Sequence, residues 1–515
     1  MLKFLQKIVN FKIELSHTAF ILIYATLHYI IFNLINPNKV AKWFWIADKF
    51  DYFGFIAWLT IGLLLFIAVT ALFAHKYTSK IFAILTLVLS TASAYFISKY
   101  NIAIDETMII NVLHTDPIEA RGLLSTNMIP YIIFFIILPM IIIFKTKITY
   151  QKISLHILKT VIIIVTSLLL VTLLAYLSFA TLLRVGNTSH KYALYSLVPD
   201  NYLGVSLDMT AHHFLDKKKE KKKIKDFKAI VTKKEDLIVV LAIGEAARQR
   251  SFSLYGYDRV NTNPLLSKIK NLHTLNAIAR LGSTFYALPE ILEKDDIKLT
   301  NITFNADINT SCYVNFSMYD NCVKGEVQAK DYNGDGVYDE DVVPLLEKDL
   351  SSYNGGEKLI LLHLGGGSHG AIYNTRFPAS FRKFQPYCND ADVLNQCTKE
   401  ELFNEYDNSI LYTDFVLNEI IQKLQKSKLP YVFIYTSDHG ESLGEDGYIF
   451  HGMPPGVALP YDQAHIPLLV KASIPISILK REEYKQPDIF DTVLYLLNIQ
   501  TDGFDKKSNF IKKER

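Results

Sequence analysis

Asp438 and His439 stand directly after the run YVFIYTS, and Glu441 and Glu445 follow within a few positions. β-Branched and aromatic residues that give way to a Gly-containing polar turn have the pattern of a buried strand running into a loop. Strand ends in open α/β sheets are where ligands and metals gather. An Asp–His pair there is a candidate for metal ligation, against the ordinary alternative of a solvated turn. Two more strand-like runs end in residues of the same kind. LIVVLAIG (237–244) is followed by Glu245, and KLILLHLGG (358–366) by His369. Carboxylates and imidazoles converging from separate strand ends have the composition of a divalent-metal site, with zinc the expected ion. Between the first two strands, LGSTFYALPEIL puts Thr284 ahead of an apolar helical start. A threonine hydroxyl is a poor nucleophile until a metal or base lowers its pKa, although a helix N-terminus would favour an incoming phosphate. Taken alone, Thr284 reads first as a helix N-cap.

These residues need a scaffold, and the second half of the chain supplies one. The three runs, together with IPLLVKA (466–472), read as buried parallel strands. The stretch 401–425 between them has apolar residues at helical spacing. Strands alternating with helices predict an α/β/α sandwich around a central sheet. The first half differs. Residues 1–183 hold five long apolar runs, Thr18–Ile35, Tyr52–Ala74, Ile81–Ser98, Met128–Phe144 and Thr160–Leu183. Each is near the roughly 20 residues that a helix needs to cross a bilayer core. The expected domains are a five-helix membrane domain (1–183), an amphipathic and basic juxtamembrane linker (184–230) that lies against the membrane surface and includes KKKEKKKIK, and an exported catalytic domain (231–515).

Orientation follows from the basic residues of the short loops. Lys3, Lys7, Lys12, Lys76, Lys80, Lys145, Lys147 and Lys152 fall on one side; Lys39, Lys42, Lys49, Lys99 and Arg121 fall on the other, among acidic neighbours. The bias puts the N-terminus inside, and an odd number of spans then places everything after Leu183 outside. No A-x-A-like cleavage site follows the first run. All four cysteines lie in the exported part, and their spacing predicts two short-range disulfides, Cys312–Cys322 and Cys388–Cys397, in an oxidising compartment. At 515 residues the net charge is only +3, which gives no electrostatic footprint for nucleic acid. The stretch DYNGDGVYDEDV (331–342) has part of the spacing of a calcium loop, but Val342 stands where the bidentate Glu belongs. It reads instead as a turn in a surface insertion.

Longer motifs carry a resemblance. GEAARQRSFSLYGYDRVNTNP, GSHGAIY, YDNSILYTDFVL, SDHGESLGEDGYIFHGMP and QAHIP resemble, in order, the signature stretches of the lipid phosphoethanolamine transferases. That family includes the lipid A modifiers of polymyxin resistance and belongs to the alkaline phosphatase/sulfatase superfamily. The resemblance implies an inner-membrane enzyme with its catalytic domain in the periplasm. Such an enzyme moves phosphoethanolamine from phosphatidylethanolamine to an envelope glycolipid such as lipid A. It also implies that zinc is held by Glu245, Thr284, Asp438 and His439, and that Thr284 is the nucleophile carrying a covalent intermediate. His369 and His451 would contact the phosphate and exchange protons. INVLHTDPIEA resembles the family's N-x3-T-x3-E, which would bring Asn111, Thr115 and Glu119 to the donor's ethanolamine.

The chain departs from the family at several points. The threonine of the family's G-E-T-A-R is Ala246, which removes a hydroxyl beside a metal ligand. Two family cysteines flanking the nucleophile are Arg280 and Glu290 here, an ion pair expected in place of a disulfide. The proline after G-S-H-G is Ala371, and the segment after Thr284 is shortened. The alternatives are a glycerophosphotransferase of lipoteichoic-acid-synthase type and a catalytically impaired homologue that binds lipid head groups.

Overall fold

The computed structural model describes residues 13–35, 40–46, 48–100, 103–114, 126–189, 192–216, 228–295, 297–314, 329–331, 338–365, 376–389, 393–453, 457–501 and 504–514. Within them the chain forms two compact units, residues 1–110 with 125–215 and residues 111–124 with 216–515.

Helices long and apolar enough to cross a bilayer dominate the first unit: α1 (His17–Leu34), α2 (Tyr52–Phe73), α3 (Ser79–Tyr100), α5 (Met128–Lys145) and α6 (Ile153–Leu177); α4 (Glu106–His114), between α3 and α5 in the chain, is divided between the units at Asn111. Their polar starts are set locally. The Ser16 hydroxyl accepts the Ala19 N–H at the head of α1, and Asp51 accepts the Gly54 N–H at the head of α2, each satisfying a donor that the first helical turn leaves open. A π-helical turn, Ile132–Ile137, interrupts α5 just before Pro139, whose missing N–H leaves the ladder short of a donor. The fifth apolar run starts earlier and ends sooner than its hydropathy suggests, because the helix breaks at Ser178 before α7 (Phe179–Ser189). After α8 (Tyr192–Tyr195) and a turn, α9 (Asp200–Asp216) completes the unit. This stretch does not merely skirt the helices. Asn33 of α1 brackets Val198, accepting its N–H at 3.1 Å and donating to its C=O at 2.6 Å.

The second unit is built on an eight-stranded sheet. In chain order its strands are β1 (Leu237–Gly244), β2 (His273–Ile278), β3 (Asn309–Val314), β4 (Ala329–Asp331), β5 (Glu357–His363), β6 (Tyr431–Ser437), β7 (His465–Ala472) and β8 (Tyr484–Lys485). Across the sheet the order is β4-β3-β5-β1-β6-β7-β2-β8. Every residue of β1, β5 and β6 is buried, as strands covered on both faces must be. Leu237, Val239, Leu241 and Ile243 of β1 pack in one cluster with Leu288 and Ile291 of α10 (Thr284–Leu292) and with Ile489 and Val493 of α12 (Gln486–Leu496). The long helix α11 (Lys399–Ser427) is held at its start by a capping box between Thr398 and Glu401.

One strand runs against expectation. β7 is antiparallel to both its neighbours, β6 and β2, although its sequence reads as a parallel strand. After β6 the chain stays at one edge of the sheet, forming the small hairpin Ser442–Leu443/Ile449–Phe450 and a four-residue helix, Tyr461–Ala464. It makes no long crossover, so it can only re-enter the sheet in the reverse direction. Apolar content reports burial on both faces; it does not report direction. Cys388 and Cys397 form a disulfide with Cα atoms 5.5 Å apart. Cys312 is disulfide-bonded, and Cys322, its expected partner, lies outside the described residues.

Candidate active site

Glu245 follows β1 and Asp438 follows β6. These strands are parallel neighbours with Ser437 opposite Gly244, so the two carboxylates emerge side by side from the carboxyl edge of the sheet. The backbone N–H groups of Ala246 and His439 donate to Asp438 Oδ1 at 3.0 and 2.8 Å. Asp438 Oδ2 is buried and receives no hydrogen bond. An orphaned carboxylate oxygen is costly unless a cation reaches it.

The other donors close around that oxygen. His439 Nδ1–H donates to the Gly440 carbonyl at 3.0 Å. Its Nε2 therefore faces the opposite way, 3.4 Å from Asp438 Oδ2, Glu245 Oε1 and Thr284 Oγ1 alike. The Thr284 hydroxyl donates to both Glu245 oxygens at 3.0 Å. Thr284 is the first residue of α10 and Ser283 occupies the cap position, so the N-cap reading of Thr284 gives way. All four side chains are buried.

The electrostatics match that geometry. Burial and the neighbouring Glu245 carboxylate push Asp438 up to about 7. For His439, burial works against the cation, but Asp438 and Glu245 outweigh it and raise the imidazole to about 10. Two dry carboxylates held this close call for a positive charge, and the oxygen and nitrogen donors present suit a divalent cation.

His451 joins the group from the hairpin. Glu245, His439 and His451 offer ligand atoms within 4.8 Å of one another, and the rings of His439 and His451 lie 4.3 Å apart. The His451 Nδ1–H donates to Glu441 Oε2 at 2.6 Å, so a fully buried carboxylate sets the ring's orientation. Glu441 was not singled out from the sequence. The only signal was its place in the Asp438–Glu445 turn, where spacing cannot tell an inward carboxylate from an outward one. Glu445, four positions on, serves a different purpose. It pairs with buried Arg248 at 2.8 Å, and that guanidinium packs over Phe403 and Tyr406.

Backbone contacts lock the loops. The N–H of Gly452 donates to Gly282 O at 2.7 Å, and that of Gly440 to Gln463 O at 2.8 Å. A Cβ on Gly440 would stand 2.0 Å from the Asp462 carbonyl oxygen, a close approach that glycine alone permits. Gly440→Ala is therefore expected to lower stability by about 1–3 kcal/mol and to cut bound metal by displacing His439. Thermal unfolding and metal content measured on the same sample check this.

Ala246 has φ 49° and contributes through its backbone: its N–H goes to Asp438, and its C=O accepts the Tyr406 hydroxyl at 2.8 Å. The missing family hydroxyl therefore leaves this scaffold in place. Arg280 and Glu290 pair at 3.5 Å, as expected, with the arginine largely exposed; such a pair contributes about 0–1 kcal/mol. Asn111 lies in α4, while Thr115, Glu119 and His369 lie outside the described residues, as do residues 332–337 of the stretch 331–342.

Comparison with known proteins sets this chain in a family. A family model described as "Phosphoethanolamine transferase EptA/EptB" matches residues 62–214, and one described as "Sulfatase" matches residues 281–499. The chain is 32% identical over 447 residues to a phosphoethanolamine transferase EptA of Helicobacter pylori, covering 80% of each chain. It is 30% identical over 528 residues to the phosphatidylethanolamine transferase Mcr-1 of Escherichia coli, covering 93% of this chain and 94% of the other. The solved structure of lipooligosaccharide phosphoethanolamine transferase A from Neisseria meningitidis superposes with a TM-score of 0.82 at 23% identity, covering 96% of this chain and 98% of that one.

Proposed function

This chain belongs to the phosphoethanolamine transferases, and from that premise we propose that it carries phosphoethanolamine from phosphatidylethanolamine to an envelope glycolipid of lipid A type by way of a covalent bond to Thr284. The observation that carries the reading is the Thr284 hydroxyl, buried against Glu245 beside the orphaned Asp438 Oδ2. Family membership also removes the glycerophosphotransferase alternative.

We assign zinc to Glu245, Thr284, Asp438 and His439; held there, it supplies Lewis acidity that lowers the hydroxyl's pKa and offsets charge on the phosphoryl oxygens. The chain's own groups do the rest. Thr284 Oγ forms the new P–O bond as its proton passes along the existing hydrogen bond to Glu245. The P–O bond to diacylglycerol breaks, and His451, oriented by Glu441, protonates the departing oxygen. In the second half an acceptor phosphate or sugar hydroxyl gives its proton to the same imidazole and attacks phosphorus, and Thr284 Oγ leaves, taking back the proton held by Glu245. His369 would share the phosphate contact. Asn111, Thr115 and Glu119 would meet the ethanolamine, a role for which the motif in α4 and the residues after it is the support. The catalytic unit is assigned to the periplasm and the first unit to the inner membrane.

Expressed in a Gram-negative host lacking its own transferases of this class, the protein should add phosphoethanolamine to extracted envelope lipids, and mass spectrometry identifies the acceptor. Unmodified lipids from cells with verified membrane-inserted protein would leave the impaired homologue as the better account.

A further inference from the structure

The turn from Leu197 into α9 is wedged among α1, α2 and α3. Asn33 brackets Val198, the Tyr29 hydroxyl donates to Asp200 Oδ2 at 2.8 Å, and Tyr202 and Ser90 hydroxyls meet at 3.1 Å. A glycine makes room for this. A Cβ on Gly62 would stand 2.1 Å from the Tyr29 hydroxyl and 2.2 Å from Asp200 Oδ2. Gly62 is at the middle of the 22-residue α2, roughly 15 Å from either end at 1.5 Å per residue. The wedge thus reaches about half the depth of the apolar layer. Val198, Asp200 and Tyr202 are answered there by Asn33, Tyr29 and Ser90, the condition for irregular chain at that depth, while the buried Asn201 Nδ2 has no partner among the described residues.

Two cavities of about 350 Å³ each flank the wedge, and Leu197 lines both. One is walled by Ile56, Leu59, Leu63 and Ile97, the other by Trp58, Leu65, Val69 and Ala175. Both are open to their surroundings and lined mostly by apolar side chains, and at this depth the surrounding medium is hydrocarbon. We infer that the paired cavities hold the two acyl chains of the glycerophospholipid donor, one on each side of the wedge. Single-chain amphiphiles would fill only half of this arrangement. The inference rests on the donor reading above and adds to it a length requirement set by the first unit.

The test uses the full chain in nanodiscs. Phosphatidylethanolamine with a diazirine in one acyl chain should, on illumination, label peptides containing Ile56–Leu63 and Leu194–Leu207. That readout needs no turnover. Gly204 lines the second cavity, and a Cβ there meets nothing within 4 Å, so Gly204→Phe fills it; Thr60→Trp fills the first. Each should abolish labelling in its own cavity. Each should also lower the ratio of kcat/KM for dioleoyl- over dihexanoyl-phosphatidylethanolamine about tenfold, the equivalent of ~1.4 kcal/mol of chain binding. Labelling spread over the outer faces of the helices, or a ratio unmoved in both folded variants, overturns the inference. If the wild type labels as expected but transfers from neither donor, the donor reading fails while the lipid site stands.

Discussion

Thr284→Ala should abolish phosphoethanolamine transfer, lowering it by more than about 10⁴-fold, or ~5.5 kcal/mol of barrier. The substitution removes the hydroxyl that lies against Glu245 and His439, and with it the oxygen that forms the covalent bond. It should do so with a modest loss of stability. The alanine gives up the buried γ-methyl and the hydrogen bond to Glu245, each worth about 1 kcal/mol. Thr284→Ser keeps the oxygen and gives up only the γ-methyl, so it should retain turnover within about 100-fold of the parent, the loss reflecting a looser rotamer. Mass spectrometry of the peptide containing position 284, quenched during turnover, should show phosphoethanolamine on that side chain in the parent and in the serine variant. The alanine variant should carry none. Full transfer by Thr284→Ala would place the nucleophile elsewhere.

Removing the metal should be as damaging as removing the nucleophile. Stripping zinc leaves Glu245 and Asp438 crowded in a dry site, and Glu245→Ala, Asp438→Ala and His439→Ala each take away a ligand. Each should lose bound zinc together with at least ~10³-fold of activity. His451→Ala should keep the zinc and turn over poorly, because its Nδ1 is committed to Glu441. The stabilisation gained from added zinc should also depend on pH. Asp438 in the metal-free chain holds its proton up to about 7, above its ordinary value. The metal-free fold therefore binds a proton that the unfolded chain has lost between about pH 4 and 7, and its stability falls as pH rises through that window. That proton competes with the ion. The His439 proton competes in the same sense, so the rise in Tm on adding zinc should be larger at pH 8 than at pH 5, and a shift equal at both would remove Asp438 and His439 from the ligand set.

Much of this was legible because the relevant signals are local. A strand buried on both faces reads as an unbroken apolar run, so β1, β5 and β6 announce themselves, and Glu245 and Asp438 are marked by following directly on two of them. The membrane helices are legible for a similar reason: crossing hydrocarbon takes about 20 apolar residues whatever the fold. Cys388 and Cys397 lie close enough in sequence for their pairing to be read from spacing.

What the sequence could not supply depends on partners far along the chain. The direction of β7 was decided by the path of the chain after β6, which stays at one edge of the sheet through the hairpin and Tyr461–Ala464. The role of Glu441 depends on the hairpin that returns His451 to it, and the backbone N–H of Ala246 matters because β1 lies beside β6 in one register. The wedge before α9 is the clearest case. Its sequence reads as an amphipathic surface segment, yet Asn33, Tyr29 and Ser90 answer Val198, Asp200 and Tyr202 from positions more than a hundred residues away. Local patterning reports which groups must leave water. Only the tertiary fold decides which distant groups satisfy them there, because a buried polar atom is tolerated only where a matching donor or acceptor has been brought to it.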